Sequence, residues 1–391
     1  MEGGTPSADQ NVPRDDKEPR VSSALCESEC NAKVPPVSMD RVLPDDLFEQ
    51  ILARLPFADI VRAGAVCTQW RGIITSETFR KKLLHGVSQR PWILRPPAYA
   101  YDPVYNLWYK LERPGFKSYY RSVKFASSTG LISVFEVDEC GIPRLCVGNP
   151  LTRRWREIAR PPPSVKYVHR TTLAISASRT TLSYKISIVT TNDLPGVQVG
   201  PELWIHLYDS ETRMWKTCMT EVSRGWKSGD ESAICDGVLY FLIYSGDHVS
   251  PAIRCGLVMY DLSGQCSDDP LASFVVVSCP LAGGRLLNMR EKLVLVGGID
   301  KGDGVGIWVL NGREWHEIAR MPDEIFLGFR PYTWLDSYGS NDLIYFLRGY
   351  DPSHIVTFDM NQKQWSRNSF AKFPSEGWPG FCFEPQLEIV P

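Results

Sequence analysis

The sequence lacks any long hydrophobic run. Its most apolar stretch, Val238 to Tyr244 (VLYFLIY), falls far short of the ~18 residues that cross a bilayer as a helix and has the length and composition of a buried strand. Neither sign of charge is in surplus. Lys and Arg number 43 and Asp and Glu 45, a formal net charge of −2, which gives no global field to draw in nucleic acid or an anionic membrane. The opening stretch, MEGGTPSADQNVPRDDKEPR, is polar and mixed in charge, unlike a secretory signal. No Asn-x-Ser/Thr sequon occurs, and the cysteines are odd in number at 11. Several of them, Cys67, Cys218, Cys235, Cys255, Cys279 and Cys382, sit singly within apolar stretches, where the thiol behaves as a small hydrophobe. The closest pair, Cys26 and Cys30, has no second pair or histidine at zinc-site spacing. These absences point to a reducing compartment, nucleus or cytoplasm, and to a chain without a metal or other cofactor.

What is present divides into three parts. Residues 1–38 are rich in Gly, Pro, Ser, Asp and Glu, with too little apolar surface to offset the entropy of ordering, so they read as a disordered tail. Residues 39–86 read as helical. Pro44 at a first helical position and Asp45 and Asp46 in the first turn form a helix start. Leu47, Phe48, Ile51, Leu52 and Leu55 follow as a broad helical stripe, and Pro56 is expected to end it. Further short helices fit Ala58 to Val66, Gln69 to Ile74, and Glu77 to Leu84. Such a module owns more apolar surface than it can bury alone, and the excess suits a partner.

Residues 91–391 lose helical periodicity. Short β-rich runs such as LISVFEV, LWIHLYD, KLVLVGG and LIYFLRG alternate with Gly, Pro, Asn and Asp turns. Within them a pattern recurs: Asp102, Asn149, Asp209 and Asp359 are each followed six residues later by a tryptophan, at 108, 155, 215 and 365. Trp315 belongs to a copy with a shorter turn, and a copy near Asp261 has lost its tryptophan. Six units of about fifty residues result, each a strand ending in a turn-forming Asp or Asn and reversing into a strand that opens on a large aromatic. Radial repetition of a four-stranded sheet of that length is a β-propeller blade. The third unit is the longest, with its surplus expected as an insertion between Pro161 and Pro201. The first unit offers only three strands, near Trp92–Arg95, Tyr99–Asp102 and Leu107–Leu111. A spare strand, Gly380–Glu384, is expected to join it, close the ring and hide two sheet edges.

The helical module resembles a known family. Leu43-Pro44-Asp45-Asp46-Leu47, Ile51-Leu52, Leu55-Pro56 and Val66-Cys67-x-x-Trp70-Arg71 together resemble the F-box, and the downstream repeats resemble a degenerate kelch or galactose-oxidase-type propeller. The kelch double glycine is clear only at Gly297-Gly298. The likeness is to plant F-box/kelch proteins of the F-box-only class, and it implies a mainly β fold, a six-bladed propeller preceded by a small α-helical F-box. It further implies a non-catalytic substrate receptor of a Skp-cullin-F-box ubiquitin ligase. Partners would be a Skp-type adaptor, a cullin scaffold and a protein substrate, with neither nucleic acid nor membrane. Carried over by position, adaptor contacts would include Leu43, Pro44, Leu47, Ile51, Leu55, Pro56, Ile60, Val66 and Trp70, with Leu52 and Ile73 kept for internal packing.

Substrate would bind loops at one end of the blades. The candidates are Tyr167 and His169 in the third unit, and the turns around Asp247–His248, Asp303 and Tyr350–His354. Catalytic readings are weaker. His169, His206, His248, His316 and His354 fall in different repeats without metal spacing or a triad partner. KGDGVG at 301–306 is followed by a strand and not by the helix a phosphate loop requires. Sialidases share the six-bladed form, but their repeated Ser-x-Asp-x-Gly turn is absent. Arg144, Arg153, Arg154, Arg156 and Arg160 could recognise an acidic ligand, or serve as solvated edge-strand charges. A propeller scaffold or transcriptional co-regulator outside a ligase is the competing class.

Overall fold

The recurrent Asp/Asn–Trp spacing is an outer β-hairpin with one fixed turn. In a computed structural model describing residues 44–79, 83, 90–95, 99–111, 123–138, 140–162, 165, 171–192, 202–221, 226–245, 254–262, 274–276, 281–299, 304–329, 335–348, 354–369, 380–387 and 389–391, the side chain that opens each copy caps the turn that follows. Asp102 Oδ1 accepts from Val104 N at 2.9 Å, Asn149 Oδ1 from Leu151 N at 3.0 Å, Asp209 Oδ1 from Glu211 N at 2.8 Å and Asp359 Oδ1 from Asn361 N at 2.9 Å. Two residues before each tryptophan the chain takes a left-handed conformation, at Asn106 (φ 54), Arg153 (φ 58), Arg213 (φ 58) and Lys363 (φ 52). The shorter copy turns through Gly312 (φ 62) between paired Asn311 and Glu314, the conformation glycine adopts without strain. The indole then lies on its cross-strand neighbour. Trp215 sits 5.4 Å from the Tyr208 ring and Trp365 4.8 Å from that of Phe358. Trp155 covers Gly148 so closely that a methyl group there would lie 2.2 Å away.

These hairpins are the outer halves of five of six antiparallel four-stranded sheets, the blades of a six-bladed β-propeller. Blade 1 holds β1 (Trp92–Arg95), β2 (Tyr99–Asp102) and β3 (Leu107–Lys110); blade 2 holds β4 (Val123–Ser128), β5 (Leu131–Val137), β6 (Pro143–Asn149) and β7 (Arg154–Glu157). Blade 3 contains β8 (Thr171–Ala177), β9 (Tyr184–Asn192), β10 (Glu202–Asp209) and β11 (Met214–Glu221). In blade 4 are β12 (Trp226–Cys235), β13 (Val238–Ser245), β14 (Arg254–Asp261) and β15 (Phe274–Val276). Blade 5 consists of β16 (Leu281–Met289), β17 (Lys292–Ile299), β18 (Val305–Asn311) and β19 (Glu314–Arg320). Blade 6 comprises β20 (Leu335–Ser340), β21 (Leu343–Arg348), β22 (His354–Asp359) and β23 (Gln364–Ser369). The span from Pro161 to Pro201 is therefore no insertion, because it supplies the first two strands of blade 3. Thr171 to Ile175 are all buried, so β8 shows none of the alternation that marks a half-buried strand.

The ring is closed by β24 (Phe381–Phe383), which pairs antiparallel with β1 through Trp92–Phe383, Ile93–Cys382 and Leu94–Phe381. The chain then runs on beyond blade 1. Asn149, fully buried in blade 2, donates Nδ2 to Gln386 O at 2.8 Å and to Ile389 O at 3.1 Å. Ile389, 1% exposed, packs with Leu131, Leu145, Ile158 and Leu173 in the core between blades 2 and 3. That donor is why this hairpin opens on Asn where the equivalent turns of blades 1, 3 and 6 open on Asp. An ionised carboxylate can accept the turn bonds but cannot give the other two.

His206 is an internal residue of blade 3, 0% exposed, with Nδ1 2.9 Å from Thr217 Oγ1. Burial pushes its pKa down to about 4 from 6.5. The unfolded chain takes up this proton as pH falls below 6.5, while the folded chain stays neutral until about 4. Stability is thus present above that window and lost on passing down through it, by about 3 kcal/mol. Denaturant titrations at pH 7 and pH 4.5 should show a larger loss for the native chain than for His206→Leu. Equal losses would refute this assignment.

Ahead of the propeller lie α1 (Asp45–Leu52), α2 (Phe57–Ala63) and α3 (Thr68–Thr75), with residues 77–79 also helical. The first helix ends at Leu52, earlier than its proline predicts. Arg54 N and Leu55 N bond back three residues, to Ile51 O and Leu52 O, tightening and ending the helix. Pro56 instead opens α2, its carbonyl accepting from Asp59 N at 2.8 Å and Ile60 N at 3.0 Å. The third helix is capped by Cys67, whose Sγ accepts from Trp70 N at 3.4 Å.

Candidate functional site

The structure splits the apolar residues of the helical module into two sets. Phe48, Leu52, Ile60, Ile73 and Ile74 are buried, and Phe48 meets Trp70 edge-on at 5.1 Å. Ile51 and Val66 stay 45% and 64% exposed, and Leu47 43%. Of the residues expected on the adaptor face, Pro44, Leu47, Ile51 and Val66 are exposed, and Leu55, Pro56 and Trp70 are half-buried. Ile60, at 1% exposure, is a core residue whose side chain is not available at the surface. Leu43 lies outside the described residues. Leu52 and Ile73 are internal, as expected.

The propeller encloses a channel of about 1450 Å³, lined by strands from all six blades. Its wall consists of β4, β8, β12, β16, β20 and β24, which touch one another in a closed ring. One source of its charged groups is a bulge in β12, where the register shifts between Ser228 and Ser232. Gly229 opens it: a methyl group there would lie 2.5 Å from the Tyr244 ring. Two consecutive carboxylates, Asp230 and Glu231, are thereby presented to the channel. Asp230 Oδ1 accepts from Lys124 Nζ at 2.9 Å, a tie from blade 4 to blade 2. Glu231 pairs with Arg285 Nε at 3.3 Å, and Arg285 Nη1 donates to Ser337 O at 3.1 Å and lies 5.0 Å over the Tyr338 ring.

Glu231 and Arg285 keep 23% and 30% exposure to the channel, but protein surrounds them. Burial raises the Glu231 carboxyl above its ordinary range, against the pull of Arg285 and Lys124. Burial is the largest single influence on Arg285 and works against its charge, yet Glu231, Tyr338 and Asp336 together outweigh it and hold the guanidinium above its usual value. At the turn between the first two strands of the blades, Arg179 Nη2 meets Glu384 Oε2 at 2.7 Å, and Ser340 Oγ donates to Glu384 Oε1 at 2.6 Å. The channel is thus tied across by opposed charges, and its described lining is close to balanced, which gives little field to attract a strongly charged ligand.

None of these channel residues stands out in the sequence by type. The one signal is the charged pair Asp230-Glu231 inside an otherwise strand-like run, and a strand that faces a channel carries such residues where a core strand does not. Tyr167, His169, Asp247, His248, Asp303 and Tyr350 lie outside the described residues. His354 is the first residue of β22, paired with Ser369, and so belongs to a strand rather than to a turn. The flanking strand ends Ser245 and Arg254, Ile299 and Val305, and Arg348 and His354 all belong to the link between second and third strands of their blades. Alternating strand direction places this link at the opposite end from the Asp/Asn–Trp turns. Among the arginines, Arg144 is engaged by Glu157 and Glu136, at 3.4 and 3.5 Å. Among the described residues no group of three His, Cys, Asp or Glu could hold a metal ion, and no helix is long and apolar enough to cross a membrane.

The two halves of this architecture have relatives. Residues 42–82 match the F-box domain, and residues 111–295 match the family described as F-box protein At3g26010-like, beta-propeller. Across 95% of its length the chain is 41% identical to the F-box/kelch-repeat protein At3g61590 of Arabidopsis thaliana, 96% of which is covered. The chain belongs to the F-box/kelch-repeat family. Two further Arabidopsis relatives match at lower identity. F-box only protein 6 is 25% identical over 83% of this chain and 68% of its own length. SKP1-interacting partner 15 is 24% identical over 78% of this chain and 86% of its own. An F-box joined to a propeller within this family supports a substrate-adaptor role of the F-box class.

Proposed function

We propose that this F-box/kelch chain is the substrate-recognition subunit of a Skp-cullin-F-box ubiquitin ligase. The F-box docks a Skp-type adaptor, through it the cullin scaffold, and the propeller holds the protein to be ubiquitinated. The chain itself performs no bond chemistry in this reading, and works in the nucleus or cytoplasm. The observation that carries it is the division of the helical stripe. Phe48, Leu52 and Ile60 make the module's core, while Ile51 and Val66 are left 45% and 64% exposed. An apolar group left in water on so small a module suits a partner surface. The name of SKP1-interacting partner 15 supports the same kind of partner here.

The test is Ile51→Asp combined with Val66→Asp in the full chain. Because both side chains are exposed, melting should stay within a few degrees of native. Placing two carboxylates in an apolar interface should weaken adaptor binding by 100-fold or more, at ~1.5–3 kcal/mol for each buried position. Adaptor co-purification at native yield would sink the proposal.

A further inference from the structure

The second helix is buried on two sides, which its role in the F-box alone does not require. Ile60 and Ala63 are 1% and 5% exposed. At 100° per residue, Phe57, Ala58 and Val61 form a different face of α2, and that face is covered by the propeller. Phe57, 7% exposed, meets Trp92 edge-on at 6.1 Å and 89°. Trp92, 2% exposed, stacks on Tyr109 at 5.2 Å and 25° and is held by a side-chain hydrogen bond to Asp102. Ala58 and Val61 join the same apolar cluster, with Leu94 and Ala100 of blade 1, Ile132 and Val134 of blade 2, and Phe383 of the closing strand. Between the two faces stand Asp59 and Arg62, paired at 2.9 Å. Both act on the Tyr109 hydroxyl, which burial first, and then Asp102 and Asp59, push up to about 12. A surface helix of a separately tethered module would show one apolar stripe, whereas this helix is sandwiched.

We propose that α2 is a fixed joint: Phe57 and Val61, with Trp92 and Tyr109, are positioning residues that seat the F-box on the seam between blades 1 and 2 and set the angle between adaptor and propeller. This rests on the ligase reading for its purpose but not for its geometry. Ubiquitin transfer to a held protein needs the two ends of the receptor at a set separation, because a flexible arm dilutes the local concentration of the transferred group.

The experiment uses the full chain bound to adaptor, with a donor–acceptor pair carried by non-natural amino acids at the exposed positions Thr75 and Arg313. The native chain should give one narrow distance distribution. Phe57→Ala and the milder Val61→Ser should broaden it at least two-fold, while adaptor affinity stays within two-fold and propeller melting within a few degrees. Phe57→Leu, which refills the contact, should restore the narrow distribution. A broad distribution in the native chain, or a narrow one in both loosening variants, would overturn the joint. Failure of the native chain to bind adaptor would instead count against the ligase reading. The distances would then be read on the free chain and judged by the same two outcomes.

Discussion

Removal of residues 380–391 is expected to leave a chain that aggregates, or that melts ~10 °C or more below the full protein. The deletion takes away β24 and with it Phe383, 0% exposed, and Cys382, 6% exposed; Ile389, 1% exposed, is lost from the core between blades 2 and 3. Loss of those buried side chains and of three paired strand positions costs on the order of 6–10 kcal/mol. It also bares the inner edge of β1, and an unpaired edge templates association with other chains. Calorimetry and light scattering on the truncated chain would check this. Native melting without association would mean that the ring does not depend on this strand.

Asn149→Asp should have the largest effect of any single near-isosteric change, about 3 kcal/mol, or roughly 4–5 °C in melting. The native amide accepts from Leu151 N and donates to the carbonyls of Gln386 and Ile389. A carboxylate keeps the first bond and turns an acceptor oxygen toward two other acceptors in a site with no water access, so like partial charges meet where they are least screened. The deficit should shrink as pH falls toward 4, because a protonated carboxyl regains a donor. At the equivalent position of blade 6, Asp359→Asn should cost only ~1 kcal/mol, since the turn bonds from Asn361 N and Gln362 N need only an acceptor. If the two exchanges have equal effects, the amide of Asn149 is not what ties down the closing segment.

The propeller also bears on how recognition and recruitment can be separated. Cutting the F-box away at residue 86 would uncover Trp92 and Tyr109, which α2 covers. Loss of substrate by such a fragment could then reflect damage to blade 1. Point changes on the exposed residues Ile51 and Val66 leave that seam intact, and are the cleaner way to detach the adaptor.

The amino-acid order by itself determined the units and their edges. A six-residue interval from Asp or Asn to Trp is a local property: the capped turn, the left-handed residue and the cross-strand indole all lie within one hairpin, so each copy is legible alone. The first unit's missing strand and the spare run near Phe381 are likewise a matter of counting. The F-box start at Pro44, Asp45 and Asp46 is set by dipole and capping preferences that act within one turn. What only the tertiary structure decided is which faces those local elements spend on one another. Period-3.6 patterning marks Ile51 and Ile60 as equally apolar, and packing alone leaves the first in water and buries the second. The strand β8 escaped notice because burial on both sides erases alternation. Asn149 differs from its Asp counterparts because its partners are 237 and 240 residues away in sequence, and the ion pair between Lys124 and Asp230 joins blades with another between them. Such contacts depend on ring closure, which brings distant segments to hydrogen-bonding distance, and no interval along the chain encodes that distance.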